Sequence, residues 1–490
     1  MAPAIIMPQP DVSSVILAST GDFELDPARP ADAASEHLGL ETIKEALITE
    51  GFKDAVILKP HASRPYDLSG GSSAVVDAFR SAGAAESGAV MGISTTSSRY
   101  HVLAVLSPLL RRAFPGVQIV LGGAHVVRER IAGFADPVEA ALGMGLADAA
   151  VCGHAQGFVD LVVKHRGRRE DVTTPGFYQL DPVYHKVVGR GTGFYPRVGR
   201  LPSSGDAGEG EVITMLADQC RNGCDFCFIT GRRPPNLTVD IVACGLGAML
   251  REGVHTFSLT DSNPFLPHLD DFYREIFDRI EGEDRSLKAV YLDPSALLKN
   301  FYRVVERAER YGCWYFYAGR DAVLEEDARV IGTKYLGKIK DQHTLDEEKT
   351  ALRNFIGAML LRRRKASAAV PRKLTLSYIT TPFMTRDSAL AMLDDMREFL
   401  DLSTPEMEVG LSVQALMPYP GTALRARLAD AIDLEDFDFD RDDGVGISPW
   451  KRDACPSLRF MREVTHRDAP MRLDDYLPHF EDAILRYLPR

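Results

Sequence analysis

Two runs of short apolar strands alternating with amphipathic helices leave this chain few folds to choose from. In the first run, "SSVILAS" (13–19), "DAVILK" (54–59), "AVMGIS" (89–94), "VQIVLGG" (117–123) and "DAAVCG" (148–153) read as strands, rich in β-branched residues and bounded by Gly or Ser. Between them "LGLETIKEALITEGF", "RYHVLAVLSPLLRRAF" and "FVDLVVKHR" carry apolar residues at helical spacing. That alternation is the pattern of a doubly wound parallel sheet, so residues 1–180 are expected to form a Rossmann-like α/β domain. Ligands of such sheets sit beyond the carboxyl ends of the strands. Those ends here hold Ser19 to Gly21, Ser94 to Ser97, Gly122 to His125 and Gly153 to Gln156.

The rhythm stops at "GRGTGFYPRVGRLPSSGDAGEG", and residues 181–210 read as a linker. It resumes with strand candidates "EVITMLA" (211–217), "HTFSLT" (255–260), "LKAVYL" (287–292), "GCWYFYA" (312–318), "KLTLSYIT" (373–380) and "EVGLSVQALM" (408–417). Helical segments fall between them at about 239–252, 269–280, 295–310, 346–363 and 387–400. Six strands with five helices predict a partial (β/α)6 barrel over 211–425, short of eightfold closure. Residues 426–490 are acidic, less periodic and end in a helix, an α-rich tail expected to cap the barrel.

A length of 490 residues suits two or three domains, and 45% hydrophobic content is enough for large cores. No apolar run approaches the ~18 residues of a membrane span, and no secretory signal opens the chain. A cytoplasmic protein with no membrane partner is expected. The net charge of −12 argues against a nucleic-acid partner, which needs a basic face, and suits a cationic small-molecule substrate.

Chemistry concentrates in "LADQCRNGCDFCFITGRRPPN" (216–236), which holds Cys220, Cys224 and Cys227. The triplet follows the first barrel strand, at the face where catalytic loops gather. Cys-x3-Cys-x2-Cys lets each thiolate take one iron of a cuboidal 4Fe–4S cluster and leaves the fourth iron open to an exogenous chelator. The competing reading is a structural zinc site that borrows a distant fourth ligand, although such sites more often show paired Cys-x2-Cys units. Cys152, Cys244, Cys313 and Cys455 stand alone and are expected to be buried thiols.

The triplet, with Phe226 before its last cysteine, resembles the signature of the radical S-adenosylmethionine (SAM) superfamily. The resemblance implies that SAM binds the open iron and is reductively cleaved to methionine and a 5′-deoxyadenosyl radical, which takes a hydrogen atom from substrate. It also implies an external one-electron donor such as a flavodoxin. Three further stretches fit. "SLTDSNPF" (258–265) sits where relatives approach the SAM amino group, which makes Asp261, Ser262 and Asn263 cofactor candidates. "GTKYLGK" (332–338) resembles the segment after strand four, and "LMPYPGTAL" (416–424) a recurring sixth-strand ending. Where relatives have Gly-x-Glu-Ser, "AGRDA" supplies Gly319, Arg320 and Asp321. Asp321 then becomes a candidate for the SAM ribose and Arg320 for its carboxylate, or the two form an ordinary ion pair. Gln414 and Tyr419, at the sixth strand's end, complete the cavity candidates, Tyr419 alternatively packing in a turn.

"HLGLETIKEALITEGF" (37–52), "SPLLRRAFPGVQIVLGGAHVV" (107–127) and "ADAAVCGHAQGFVDLVV" (147–163) resemble the cobalamin-binding domains fused to one radical SAM subclass. Cobalamin is therefore a candidate cofactor beside the cluster and SAM, with Gly122 and Gly123 allowing close backbone approach. The chain departs from the subclass at Gly153-His154-Ala155-Gln156, and His125 and His154 read more simply as hydrogen-bonded than as ligands. Its compact length is similar to that of radical SAM diol-dehydratases of apramycin-type aminoglycoside antibiotic biosynthesis. Dehydration of an aminoglycoside-type sugar diol is thus the expected reaction, with Asp261 and Asp293 as catalytic carboxylates. Asp293 also precedes Pro294, a common helix N-cap arrangement. The alternatives are a cobalamin-dependent C-methyltransferase and a non-catalytic corrinoid or iron–sulfur protein.

Overall fold

The structure is a computed structural model. It describes residues 12–20, 23–24, 34–59, 66–68, 73–84, 88–95, 100–123, 126, 136–181, 186–190, 197–204, 211–214, 216, 220, 222–227, 237–259, 264–265, 269–280, 286–288, 290–363, 371–419, 421–432, 450–465 and 473–488. The chain divides into two units, one essentially Met1–Ser204 and the other essentially Gly205–Arg490.

The first unit is built on a seven-stranded sheet. Its strands are β1 (Ser14–Ser19), β2 (Ala55–Ile57), β3 (Ala89–Ser94), β4 (Gln118–Gly122), β5 (Ala149–Val151), β6 (Phe177–Leu180) and β7 (Val187–Gly189). The spatial order is β2-β1-β3-β4-β5-β6-β7, with the first five strands parallel and the last two antiparallel. Their apolar runs read Val15, Ile16, Leu17 and Val90, Met91, Ile93, all buried, as expected of strands covered on both faces. Helices α1 (Ala34–Thr49), α2 (Ser73–Phe79), α3 (Tyr100–Ala113), α4 (Pro137–Gly143) and α5 (Gln156–Val163) supply the crossovers. The order 2-1-3-4-5 is flavodoxin-like, and its topological switch point lies between β1 and β3. β7 lies inside the stretch read as linker; Gly189, at φ 148°, has Phe177 O only 2.4 Å from where a Cβ would sit, so only glycine fits this edge.

The second unit carries parallel strands β8 (Glu211–Thr214), β9 (Thr256–Leu259), β10 (Ser286–Lys288), β11 (Val290–Leu292), β12 (Tyr315–Gly319), β13 (Arg372–Thr380) and β14 (Met407–Ala415). β10 and β11 are the two halves of the expected third strand, so the arc is that of a (β/α)6 partial barrel. Helices α6 (Val239–Arg251), α7 (Asp270–Arg279), α8 (Pro294–Arg310), α9 (Glu325–Ile331), α10 (Gln342–Arg363) and α11 (Arg386–Leu400) alternate with the strands. Each of α6, α8 and α11 begins at a capping side chain, Thr238, Asp293 and Thr385 respectively.

Strand parity separates two faces. Phe316, Ala318, Leu374, Leu376, Val409 and Leu411 are buried on the helix side. On the other face, Gln414 donates to Tyr317 Oη at 2.9 Å and Thr375 donates to Tyr315 Oη at 3.3 Å. In the tail, Trp450 Nε1 donates to Leu416 O at 3.1 Å, and Ser457 N donates to Pro382 O at 2.9 Å. The last helix, α14 (Leu473–Tyr487), packs on α11 and on α13 (Leu458–Val464). Among the described residues, no helix is long and apolar enough to cross a membrane.

α9 and α11 meet through a buried pair in which Ser388 Oγ donates to Asp327 Oδ2. Burial pushes the Asp327 carboxyl up to about 6, with Ser388 pulling it back and Glu326 adding to the rise. The folded state therefore holds the proton more tightly than the unfolded chain. This stabilisation is full below the ordinary value of 3.8 and is lost as pH rises through about 6. Between pH 5 and 8 the loss at this residue is about 1 kcal/mol. Asp327→Asn keeps an acceptor for Ser388 and removes the titration. Urea unfolding of this variant is expected to lose about 1 kcal/mol less than the wild type over that range; identical pH profiles would exclude Asp327 as the titrating group.

Candidate cluster and ligand sites

The described part of the cysteine loop, residues 222–227, consists of turns and bends. Its shape is imposed from outside. A two-residue hairpin after α9 pairs Lys334 with Ile339 and Tyr335 with Lys338, and it lies along the loop. Asp225 N donates to Gly332 O at 2.9 Å, Gly337 N donates to Asn222 O at 3.0 Å, and Lys334 N donates to Cys224 Sγ at 3.2 Å. On the opposite side, Leu424 N donates to Asp225 O at 2.9 Å, from α12 (Ala423–Arg427). The Asp225 carboxylate pairs with Lys334 Nζ and, at 3.4 Å, with Arg427 Nε. Arg427 also caps the end of α9, donating to Arg329 O at 3.0 Å and Val330 O at 2.8 Å.

Cys220, Cys224 and Cys227 are all partly exposed, and Cys227 N donates to Cys224 O at 3.2 Å. Burial, reinforced by the nearby Asp321 carboxylate, pushes the Cys224 thiol up to about 12. A metal that takes this sulfur has to displace a proton. Among the described residues, no three His, Cys, Asp or Glu side chains are placed to hold one metal ion together. A cuboidal cluster asks for one thiolate on each of three irons, and the donor set here, three partly exposed cysteines with a backbone N–H directed at Cys224 Sγ, fits it. Phe226 lies between the second and third cysteines, partly buried.

Behind the loop is a set of buried charges. Asn222 Nδ2 donates to Asp293 Oδ2 at 2.8 Å. The other oxygen of Asp293 accepts from Ser295 N at 2.9 Å and Ser295 Oγ at 2.6 Å, capping α8. Asp293 thus does the N-cap work and steadies the cysteine loop as well. Thr333 Oγ1 donates to Asp321 Oδ2 at 3.0 Å; burial raises this carboxyl, with Lys340 and Thr333 opposing. Lys340, 5% exposed, pairs with Glu348 at 2.9 Å. Burial disfavours its charge, but Glu348, Asp321 and Asp293 outweigh that and hold it cationic. Gly319 leaves room for Asp321, whose Oδ1 is 2.9 Å from where a Cβ at 319 would be.

Arg320 corrects the expectation that it reaches a ligand. It is 1% exposed, and its guanidinium holds Asp395 (3.2 and 3.3 Å) and Leu345 O (3.0 Å) on the helix side of the barrel. Nor does it pair with Asp321. Gln414 lies on the opposite, concave face at β14, bonded to Tyr317. Tyr419 lends its carbonyl to Thr422 at the start of α12, and burial raises its phenol. Asp261, Ser262, Asn263 and His125 lie outside the described residues. Of the lone cysteines, Cys152, Cys313 and Cys455 are buried as expected, whereas Cys244 is exposed on α6. Asn222, Asp225, Thr333, Lys340 and Arg427 were missed. The one signal for them was the motif Gly332–Lys338, noted for its resemblance and not for its contacts.

In the first unit, Thr20 Oγ1 donates to Thr95 Oγ1 at 3.1 Å across the β1/β3 switch point. Gly123, at φ 100°, would place a Cβ 2.4 Å from Thr95 O; its freedom is used to pack two strand-end turns together. A Cβ at Gly122 would meet none of the described atoms within 4 Å. Gln156 Nε2 donates to Asp160 Oδ1 at 2.8 Å, and Asp160 also takes Thr174 Oγ1 at 2.5 Å and Lys164 Nζ at 2.7 Å.

No protein-family model and no curated protein matches the chain. Among solved structures, it is similar to the radical S-adenosylmethionine methyltransferase TsrM from Kitasatospora setae, determined with cobalamin and a [4Fe-4S] cluster bound. The TM-score is 0.58 at 16% identity, covering 85% of this chain and 77% of that one. The chain therefore has that fold, a cobalamin-binding-type domain followed by a radical SAM-type barrel. HydG, a maturase of the [FeFe]-hydrogenase, also matches, at 12% identity over 45% of this chain and 49% of HydG; its TM-score of 0.29 adds nothing to the fold assignment.

Gly332 carries the tightest constraint in this site. Its φ is 75°, and a Cβ there would sit 2.4 Å from Asp225 Cβ. Gly332→Ala is expected to displace the cysteine loop and cut the iron retained after anaerobic reconstitution severalfold, measured as iron per chain. Full iron loading in a folded variant would show that the loop does not depend on this contact.

Proposed function

We propose that the chain is a radical SAM enzyme acting on a small polar substrate. The single observation that carries this is Cys220, Cys224 and Cys227 on a loop after the first strand of a partial barrel, held by a hairpin that donates an N–H to Cys224. Cys220, Cys224 and Cys227 would hold a 4Fe–4S cluster there, and such a cluster would supply the electron for reductive cleavage of SAM to a hydrogen-abstracting 5′-deoxyadenosyl radical. The chain's own residues do the rest. Asn222 and Asp225 fix the loop, Lys334 and Arg427 neutralise Asp225, and Asp321 faces the same interior as Cys224, where a ribose hydroxyl would find a carboxylate acceptor. Asp261, Ser262 and Asn263 are proposed to approach the SAM amino group. The hydroxyls of Tyr317, Tyr315, Thr375 and Ser412 on the concave face suit a hydroxylated or amine-bearing substrate.

Methyl transfer with cobalamin is the first reading of the reaction. It is supported by a fold likeness that runs through both units to a cobalamin-bound methyltransferase. Dehydration of a sugar diol, with Asp293 as an acid–base group, is the second. It is favoured by the sequence departure at Gln156, whose Nε2 donates to Asp160.

Replacing any one of the three cysteines with serine is expected to abolish 5′-deoxyadenosine formation from SAM in dithionite-reduced protein, a loss of at least a hundredfold. Candidate aminoglycoside-type substrates, incubated anaerobically with and without methylcobalamin, separate the two reactions by mass spectrometry. A product heavier by one methyl group, formed only with methylcobalamin, supports methyl transfer. A product lighter by one water, formed equally without it, supports dehydration. Wild-type protein that makes no 5′-deoxyadenosine overturns both.

A further inference from the structure

The hairpin that clamps the cysteine loop has an outward side with a different character. Its turn residues, Leu336 and Gly337, have φ of 48° and 82°, the signature of a type I′ turn. That turn favours Asn, Asp or Gly at the first position; a leucine there accepts a left-handed backbone at a cost on the order of 1 kcal/mol. Leu336 gains no burial in return, being 51% exposed. Ile339, across the hairpin, is 38% exposed, and Tyr302 on the adjoining helix α8 is 82% exposed. α8 is brought alongside by Lys299, whose Nζ sits 5.1 Å over the Tyr335 ring. Lys299 and Lys338 are exposed, and Lys338 shares the hairpin face of Tyr335, over which Lys299 sits. Two acids of the surrounding segments are engaged, Asp225 with Lys334 and Arg427, and Asp341 in capping α10 through Thr344, while Glu306 is exposed one turn beyond Tyr302. A local rule broken without a packing gain points to something outside the chain.

From this apolar tip with its lysines, we infer that the hairpin and the adjoining turn of α8 are the docking surface for an acidic one-electron donor protein that carries its redox group near its surface. The inference rests on the cluster proposed above. Two observations select this partner. The first is position: Lys334 N donates to Cys224 Sγ at 3.2 Å, so the hairpin connects this surface directly to a cluster ligand. The second is charge: a cationic, apolar patch on a chain of net charge −12 is a local complement to an acidic protein. The transfer balances simply. The donor loses one electron, the cluster gains it, and no proton or group moves.

The test uses reconstituted full-length protein and a recombinant acidic flavodoxin as probe. Lys299→Glu combined with Lys338→Glu is expected to raise the KM for reduced flavodoxin in SAM cleavage at least tenfold and to flatten its salt dependence. Leu336→Asn, which suits the turn better than leucine does, is expected to raise it severalfold. Both variants should keep the dithionite-driven rate within about twofold of wild type, since a small reductant needs no docking. Unchanged flavodoxin KM in both variants overturns the inference, as does a parallel fall in the dithionite-driven rate. If wild-type protein cleaves no SAM with either reductant, the radical reading fails separately. Calorimetric binding of oxidised flavodoxin then decides the docking surface: a tenfold weaker Kd in the charge-reversed variant supports it, and no binding or no change sinks it.

Discussion

The described residues of the cysteine loop form no helix or strand, so the position of Cys224 depends on the backbone pressed against it. That backbone meets the loop at Gly332 O, Lys334 N and Gly337 N, and Cys224 Sγ also lies 3.7 Å from Lys334 O. The Lys334 peptide groups thus reach a sulfur and would belong to the electrostatic surroundings of a cluster bound there. α9 then has an evident purpose. It is a seven-residue helix ending in a left-handed glycine, a C-cap that turns the chain straight back across the cysteine loop. Arg427 ties the last carbonyls of that helix to Asp225, so helix end, hairpin and loop move as one piece.

Charge explains why this interior does not expel its own ligands. Asp321 lies close enough to Cys224 to disfavour a thiolate, and Asp293 adds to the local negative charge. Lys340 answers both from a nearly water-free position with Glu348 as its direct partner. A buried carboxylate and a buried ammonium are each costly alone, and removing one partner of such a set leaves the other uncompensated. Arg320 and Asp395 repeat the arrangement on the helix side, where Tyr378 Oη adds a bond at 3.0 Å and Lys349 Nζ another at 3.2 Å. Arg320 and Asp321, adjacent in the chain, serve the two sets from opposite faces of the strand, and α10 contributes to both.

That separation was readable in principle. Along "YFYAGRDA", Tyr315, Tyr317, Gly319 and Asp321 share one parity, and Phe316, Ala318 and Arg320 the other. Because Phe316 and Ala318 are the apolar, helix-facing pair, Arg320 had to point outward with them, whereas motif position alone suggested a ligand. Longer elements were legible because periodicity has room to repeat: β3 matches its expected span, and α8 begins within one residue of its expected start. α9 and the two-residue strands of the hairpin are too short for any period to show. The hairpin's turn also hides, because leucine stands where turn chemistry expects Asn or Gly. Contacts such as Asn222 with Asp293, 71 residues apart, have no local signature at all.

The amino-terminal unit shows how glycine and polar motifs can mislead in the other direction. Gly123 looked like a residue kept small for a ligand, yet its backbone freedom is spent on the turn after β3, and Gln156 is spent on Asp160. Either would be retained by a domain that had lost its ligand, since the fold itself requires them. Gly122 differs, because no described atom lies within 4 Å of where its side chain would project. It also ends β4, which pairs directly with β3 at the switch-point side of the sheet.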